Sequence, residues 1–103
     1  MSVQINWTRR AILRLTGISD YIRQEFYPDY ADAFEEDIAA TVESLPENPR
    51  VGTEAFPSIH RPELRKTLSR SRTYWVYYRV KKSRLEILSI KHVLQQVEGP
   101  RNL

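Results

Sequence analysis

The side chains with most chemical capacity crowd into the last third of this 103-residue sequence. Between residues 61 and 92 stand ten cations, among them Arg65, Lys66, Arg70, Arg72, Arg79 and Lys91. They face only Glu63 and Glu86, a local net charge of +8. The run RTYWVYYRV at 72–80 adds Trp75 and Tyr77, and His92 closes the apolar run that follows. Guanidinium and ammonium groups at this density hold phosphates or carboxylates, so the pattern points to a polyanion or an acidic partner. Basic strand edges also discourage sheet-to-sheet pairing, but about two or three lysines suffice for that. Only two imidazoles exist, His60 and His92. His60 lies in the proline-flanked SIHRPE and is not expected to be catalytic, which leaves His92 as the one candidate catalytic imidazole. With no cysteine there is neither disulfide nor thiolate chemistry, as suits a reducing cytoplasm. No metal or cofactor is expected.

Residues 1–60 have the opposite character, with ten carboxylates against five arginines, a net charge of −5. They read as ordinary solvated helices. The length suits one domain over 1–103, and no signal-length or membrane-length apolar run is present.

The elements that must position these groups follow from periodicity. VQINW at 3–7 alternates as a half-buried strand. Thr8 suits a helix N-cap, and Ala11, Leu15, Ile18, Ile22 and Phe26 form the apolar stripe of a first helix. Gly17 inside that stripe suggests close backbone packing. Tyr27 precedes Pro28 and is pushed out of the helical region, ending the helix. A second helix from about Asp29 carries Tyr30, Phe34, Ile38, Val42 and Leu45 on one side, with Asp32 near its start. Pro46 and Pro49 end it, and Gly52 supplies turn freedom. After a loop at 53–63, LRKTL, YWVYYRV and RLEILSIKHV read as three strands joined by tight turns, before a short polar tail from about residue 94.

The order β-α-α-β-β-β predicts an α+β fold: an antiparallel helical hairpin packed on one face of a mainly antiparallel four-stranded sheet. Period-two alternation then turns Tyr74, Val76, Tyr78 and Val80 toward the helices and Thr73, Trp75, Tyr77 and Arg79 to the opposite face. That second aromatic set is expected to lie open for a partner. The competing expectation covers it with the 53–63 loop or the tail.

The segments AILRLTGISDYI, VESLPENPRVG, LRKTL with YWVYYRV, and LEILSIKHV together resemble the RelE/ParE family of bacterial type II toxins, in order and spacing across residues 3–93. The resemblance implies the same fold and a cognate antitoxin that wraps the toxin through acidic, amphipathic segments. It also implies one of two targets. RelE-like members cut mRNA in the ribosomal A site, whereas ParE-like members poison DNA gyrase.

Metal-free RNA cleavage needs a base for the 2′-hydroxyl, an acid for the leaving oxygen and cations for the crowded phosphate. His92, Arg65 and Tyr77 are the set available here. RelE-like ribonucleases carry an arginine where Trp75 follows Tyr74, and an arginine and a tyrosine just past the last strand. Here that stretch reads VLQQVEG. The ParE-like reading is therefore preferred, with no confident catalytic residue. The antitoxin- or target-binding surface is expected at Trp75, Tyr77, Arg65, Lys66, Arg70, Arg72, Arg79, Lys91 and His92. A third reading, a non-toxic RNA-binding module stacking bases on Trp75 and Tyr77, lacks the glycine and paired phenylalanines of the familiar RNA-binding signature.

Overall fold

The computed structural model describes residues 3–103, which form strand β1 (Gln4–Trp7), helices α1 (Arg9–Glu25) and α2 (Pro28–Ser44), and strands β2 (Thr53–Glu54), β3 (Leu64–Leu68), β4 (Tyr74–Val80) and β5 (Arg84–His92). The sheet order is β1-β5-β4-β3-β2, with β1 parallel to β5 and every other pair antiparallel. The α+β reading holds. The sheet has five strands rather than four, because two residues of the 53–63 loop pair with β3 (Thr53 opposite Lys66, Glu54 opposite Arg65). A strand that short carries no alternation to detect.

Local chemistry sets the element ends. Thr8 caps α1 by accepting the Ala11 N–H at 3.2 Å, while its hydroxyl donates to the Ile87 carbonyl at 2.7 Å, fixing the helix start to β5. Tyr27 is extended, as a residue before proline must be, and Pro28 opens α2 at a position where its missing N–H costs nothing. The hairpin stripe then packs on the sheet. Phe34, Ile38, Val42 and Leu45 are buried against Val76, Tyr78, Leu85, Ile87 and Ile90. Each such side chain contributes roughly 1.5–3 kcal/mol of transfer free energy.

A bulge gives β5 its two-sided character. Tyr77 lies opposite Ser89 but Tyr78 lies opposite Ile87, so Leu88 has no partner across the ladder. The extra residue reverses the alternation. Leu85, Ile87 and Ile90 all reach the helix side, while Leu88 joins the opposite face.

Four expectations need correction. The far face of the sheet is not open: Phe56 from the 53–63 loop and Val97 and Leu103 from the tail cover it, and Tyr77 is only 3% exposed. The tail is thus not merely polar, since Val97 and Leu103 anchor it. Gly17 marks no close packing, as a Cβ there would meet nothing within 4 Å. Gly52, by contrast, is needed for close approach rather than for a left-handed turn. Its φ is not positive, and a Cβ would run into the Lys66 carbonyl while its N–H donates to the buried Tyr78 hydroxyl at 3.2 Å.

Candidate binding surface

The nine residues singled out by charge and aromaticity are divided between two faces and a turn. Arg65 is on the helix side of β3, opposite Tyr78, and its guanidinium donates to the carbonyls of Arg50 (3.2 Å) and Gly52. It staples the 50–52 turn to the sheet and is not free to clamp a phosphate. His92 ends β5 opposite Tyr74, its ring edge-on to the tyrosine at 5.5 Å. Its Nδ1 accepts the Leu94 N–H at 3.1 Å, so in the neutral ring the proton is on Nε2. Tyr77 points to the other face, stacked on Phe56 at 6.0 Å, and burial pushes its hydroxyl above the ordinary value of 10.0. These three groups therefore do not converge. His92 and Arg65 are separated by about 13 Å along the ladder, four residues of strand, and the sheet itself stands between them and Tyr77.

On the second face the remaining groups do meet. Trp75 is half-buried, with Lys66 Nζ lying 4.4 Å from its ring centroid, and Lys91 stands across the ladder from it. The cation caps the indole face that a base would otherwise use. Lys91 is buried to 9% exposure. Burial, together with the Arg14 and Arg10 guanidiniums, lowers its pKa below 10.5. Arg79 shares the carboxylate of Glu86, at 3.4 Å, with Lys81 and Arg84. Arg70 and Arg72 belong to the β3–β4 turn, which Asp37 holds through Ser71 (2.9 Å to its N–H, 2.6 Å to its hydroxyl). Arg72 is exposed with φ of 65°.

Two features escaped the sequence reading. The first is a pair of arginines in the acidic half that the fold carries to the edge of the basic second face: Arg10 shares a concavity with Arg61 and Arg79, and Arg14 Nε donates to the Leu103 carbonyl at 3.0 Å. The signal was present, since a helix starting at Arg9 beside the last strand must deliver its first turns there. The second is the exposed side of α1. Leu13, Gly17 and Tyr21, spaced by four, line one shallow groove, and Tyr21 meets Phe26 edge-on at 6.2 Å. Leu13 and Tyr21 are each 59% exposed. Phe26 and Tyr30, expected at the ends of the core stripes, instead line a groove of about 430 Å³ with Phe34 and Tyr74 at the looped end of the hairpin.

The model of the ParE toxin of the parDE type II toxin–antitoxin system matches residues 5–97. The chain belongs to the ParE toxin family. Among solved structures, one described as the chromosomal ParDE toxin–antitoxin system from P. aeruginosa aligns with a TM-score of 0.73 and 27% identity, covering 89% of this chain and 97% of that one. A mutant of the E. coli toxin RelE in the free state aligns with a TM-score of 0.62 and 17% identity, over 91% and 86% of the two chains. That second likeness speaks for the fold alone. Curated protein sequences give no significant match. ParE membership agrees with the resemblance read from the sequence and with the two-helix, mixed-sheet architecture. Among the described residues, no helix of this ParE protein is long and apolar enough to cross a membrane.

Proposed function

We propose that this ParE-family protein arrests growth by trapping DNA gyrase on cleaved DNA, and that direct binding of a cognate antitoxin neutralises it. The observation that carries the target is the dispersal of His92, Arg65 and Tyr77. Acid–base cleavage of RNA requires groups within hydrogen-bond reach of one phosphodiester. Here the imidazole Nδ1 accepts a backbone N–H, the guanidinium is committed to two carbonyls, and the phenol is buried with a raised pKa. A gyrase poison needs a surface rather than a reacting centre. The RNA-binding alternative loses its stacking platform, since Phe56 covers Tyr77 and Lys66 lies over Trp75.

The antitoxin reading draws on the P. aeruginosa ParDE neighbour and on the outer side of α1. Leu13, Gly17 and Tyr21 offer an apolar seat with Arg9, Arg10 and Arg14 beside it, complementary to an acidic amphipathic helix. Lys66, Arg70, Arg72 and the exposed part of Trp75 complete the candidate contact surface, for antitoxin or for target.

Two parallel reactions with antitoxin-free protein test the target. One holds gyrase, ATP and plasmid and is scored for double-strand breaks. The other holds programmed ribosomes and is scored for mRNA cuts in the A site. Linear plasmid with intact mRNA supports the proposal. Cut mRNA with untouched plasmid overturns it in favour of a ribosome-dependent endonuclease.

A further inference from the structure

Three large aromatic side chains stand in solvent at the looped end of the helical hairpin. Phe26, Tyr27 and Tyr30 are 57%, 68% and 59% exposed. Their rings are held against neighbours: Tyr27 and Tyr30 meet edge-on at 5.7 Å, and Phe26 meets Tyr21 at 6.2 Å. Phe26 and Tyr30 border the groove of about 430 Å³ that they share with Ile22, Phe34 and Tyr74. Aromatic surface gathered round a groove, rather than scattered singly, marks an interaction site.

Charge narrows what that groove can take. Residues 20–37 hold seven carboxylates against one cation, Arg23, a net charge of −6 within a chain of net charge +3. Glu25 lies one turn beyond Ile22 on α1, and Asp29 one turn before Ala33 on α2, and both Ile22 and Ala33 line the groove. Each helix thus sets an exposed carboxylate beside the exposed rings. Asp37 is two turns beyond Tyr30, where it holds Ser71, so Arg70 and Arg72 flank the opposite end. Aromatic faces next to carboxylates attract ammonium and guanidinium groups, by cation–π attraction and ion pairing together.

The outer side of α1 has the opposite sign, an apolar seat bordered by Arg9, Arg10 and Arg14 that suits an acidic helix. A segment of one charge cannot satisfy both seats, so they belong to two partners. An enzyme that handles DNA carries lysine and arginine along its DNA path, and the acidic seat matches that character.

We propose that the looped end of the hairpin docks a basic protein segment, which seats an apolar side chain in the groove between Phe26 and Tyr30 and sets lysine or arginine beside Glu25 and Asp29, and that this segment belongs to the target rather than to the antitoxin. The assignment to the target rests on the gyrase reading, whereas the preference of the groove for a basic segment does not.

Biolayer interferometry with the immobilised, antitoxin-free chain measures three analytes. These are gyrase, the cognate antitoxin, and a synthetic amphipathic helix of about 18 residues with leucine on one face and lysine on the other. Tyr30→Ala and Glu25→Lys/Asp29→Lys are each expected to weaken gyrase and the peptide at least about tenfold and to leave antitoxin affinity within about twofold. A Glu43→Lys/Glu47→Lys variant, with the same change of net charge at the other end of α2, keeps all three within about twofold. All five side chains are exposed, and circular dichroism verifies that the variants fold. Equal losses in the Glu43/Glu47 variant would reduce the effect to net charge and overturn the site. A fall in antitoxin affinity in the Tyr30 variant would overturn the proposal by giving the groove to the antitoxin. Selective loss of the peptide with gyrase binding unmoved would overturn the assignment to the target. The two readings fail separately. A wild-type chain that neither binds gyrase nor traps cleaved plasmid, yet loses the peptide in the same variants, removes gyrase and leaves a site for a basic segment, whereas trapped plasmid in every variant removes the docking site and leaves gyrase.

Discussion

On the helix side of the sheet, Phe34, Ile38, Val42 and Leu45 meet Val76, Tyr78, Ile87 and Ile90 with no charge among them. On the other side, Phe56, Tyr77 and Leu103 share their surface with Lys66, Arg79 and Lys91. The first face is sealed by two full helices, and the polar groups that reach it are tied by hydrogen bonds, as the Tyr78 hydroxyl is to the Gly52 N–H and Thr41 to the Asp37 carbonyl. The second is closed by a loop and a tail, each contributing one or two apolar anchors, with cations filling the gaps. A surface assembled in this way can be charged and still be held in shape. That is how a small toxin can combine a stable core with a binding face on one thin sheet.

The sharpest way to break this contrast is to disrupt each face in turn. Ile38→Asp on the helix side buries a charge with no partner, at a cost of at least about 4 kcal/mol, and is expected to abolish cooperative unfolding in urea. A near-wild-type midpoint would show that α2 is not the main source of stability. Phe56→Ala on the other side is expected to cost less, about 2–4 kcal/mol, because the ring stacks on Tyr77 under a loop that can partly collapse. Its effect should be local. Hydrogen exchange is expected to rise in β2 and β3 and around Tyr77 while α2 and β1 keep their protection. A uniform rise would mean that the two faces are one cooperative unit.

Legibility in the sequence followed the same division. Thr8, the α1 and α2 stripes, the Tyr27–Pro28 break and the alternation of β4 were all readable, because each obeys a local rule of period or capping. The cover of the second face was not. Phe56 stands alone between prolines, and Val97 and Leu103 are isolated apolar residues in a polar tail. Nothing periodic says that they meet Tyr77. The bulge at Leu88 was equally hidden, since LEILSI reads as an uninterrupted strand. For the candidate surface, composition located the cations of β3–β5 but could not tell Arg65, tied to the 50–52 turn, from Arg72, which is exposed. Nor did it join Arg10 and Arg14 to Lys91, some eighty residues away in the chain. Charge counted by segment misses charge gathered by fold.

The Lys91 environment predicts a gain rather than a loss. Lys91→Met keeps the length of the stem and removes a buried cation that faces Arg10 and Arg14, so stability at neutral pH is expected to rise by on the order of 1 kcal/mol. The sign of the pH dependence follows. The native pKa is below 10.5, so between the two values the unfolded chain keeps a proton that the native state has released, and wild-type stability rises with pH. Below the native pKa the cost is present in full. The tyrosines act oppositely above 10.0, where Tyr74 and Tyr77 stay protonated in the folded state, so the difference between wild type and variant is the quantity to follow. It should narrow toward pH 10.5. A variant less stable than wild type at pH 7 would mean that Lys91 is compensated by an anion and that the second face is not self-repulsive.

The smallest effect is expected on the outer side of α1, which neither core uses. At Gly17 a methyl group enters open space in a helix interior, so Gly17→Ala is expected to stabilise the free protein by about 0.5–1 kcal/mol. The same methyl rises from the floor of the groove between Leu13 and Tyr21. If an antitoxin helix seats there, closeness of approach is what glycine provides, and the variant should bind the antitoxin about tenfold more weakly while melting higher. Stability and affinity then move in opposite directions, which no general loosening of the fold can produce. A stabilised variant with unchanged antitoxin affinity would place the antitoxin elsewhere and leave the glycine without a role in binding. A destabilised one would mean that α1 is bent or packed at this turn, contrary to the open space observed.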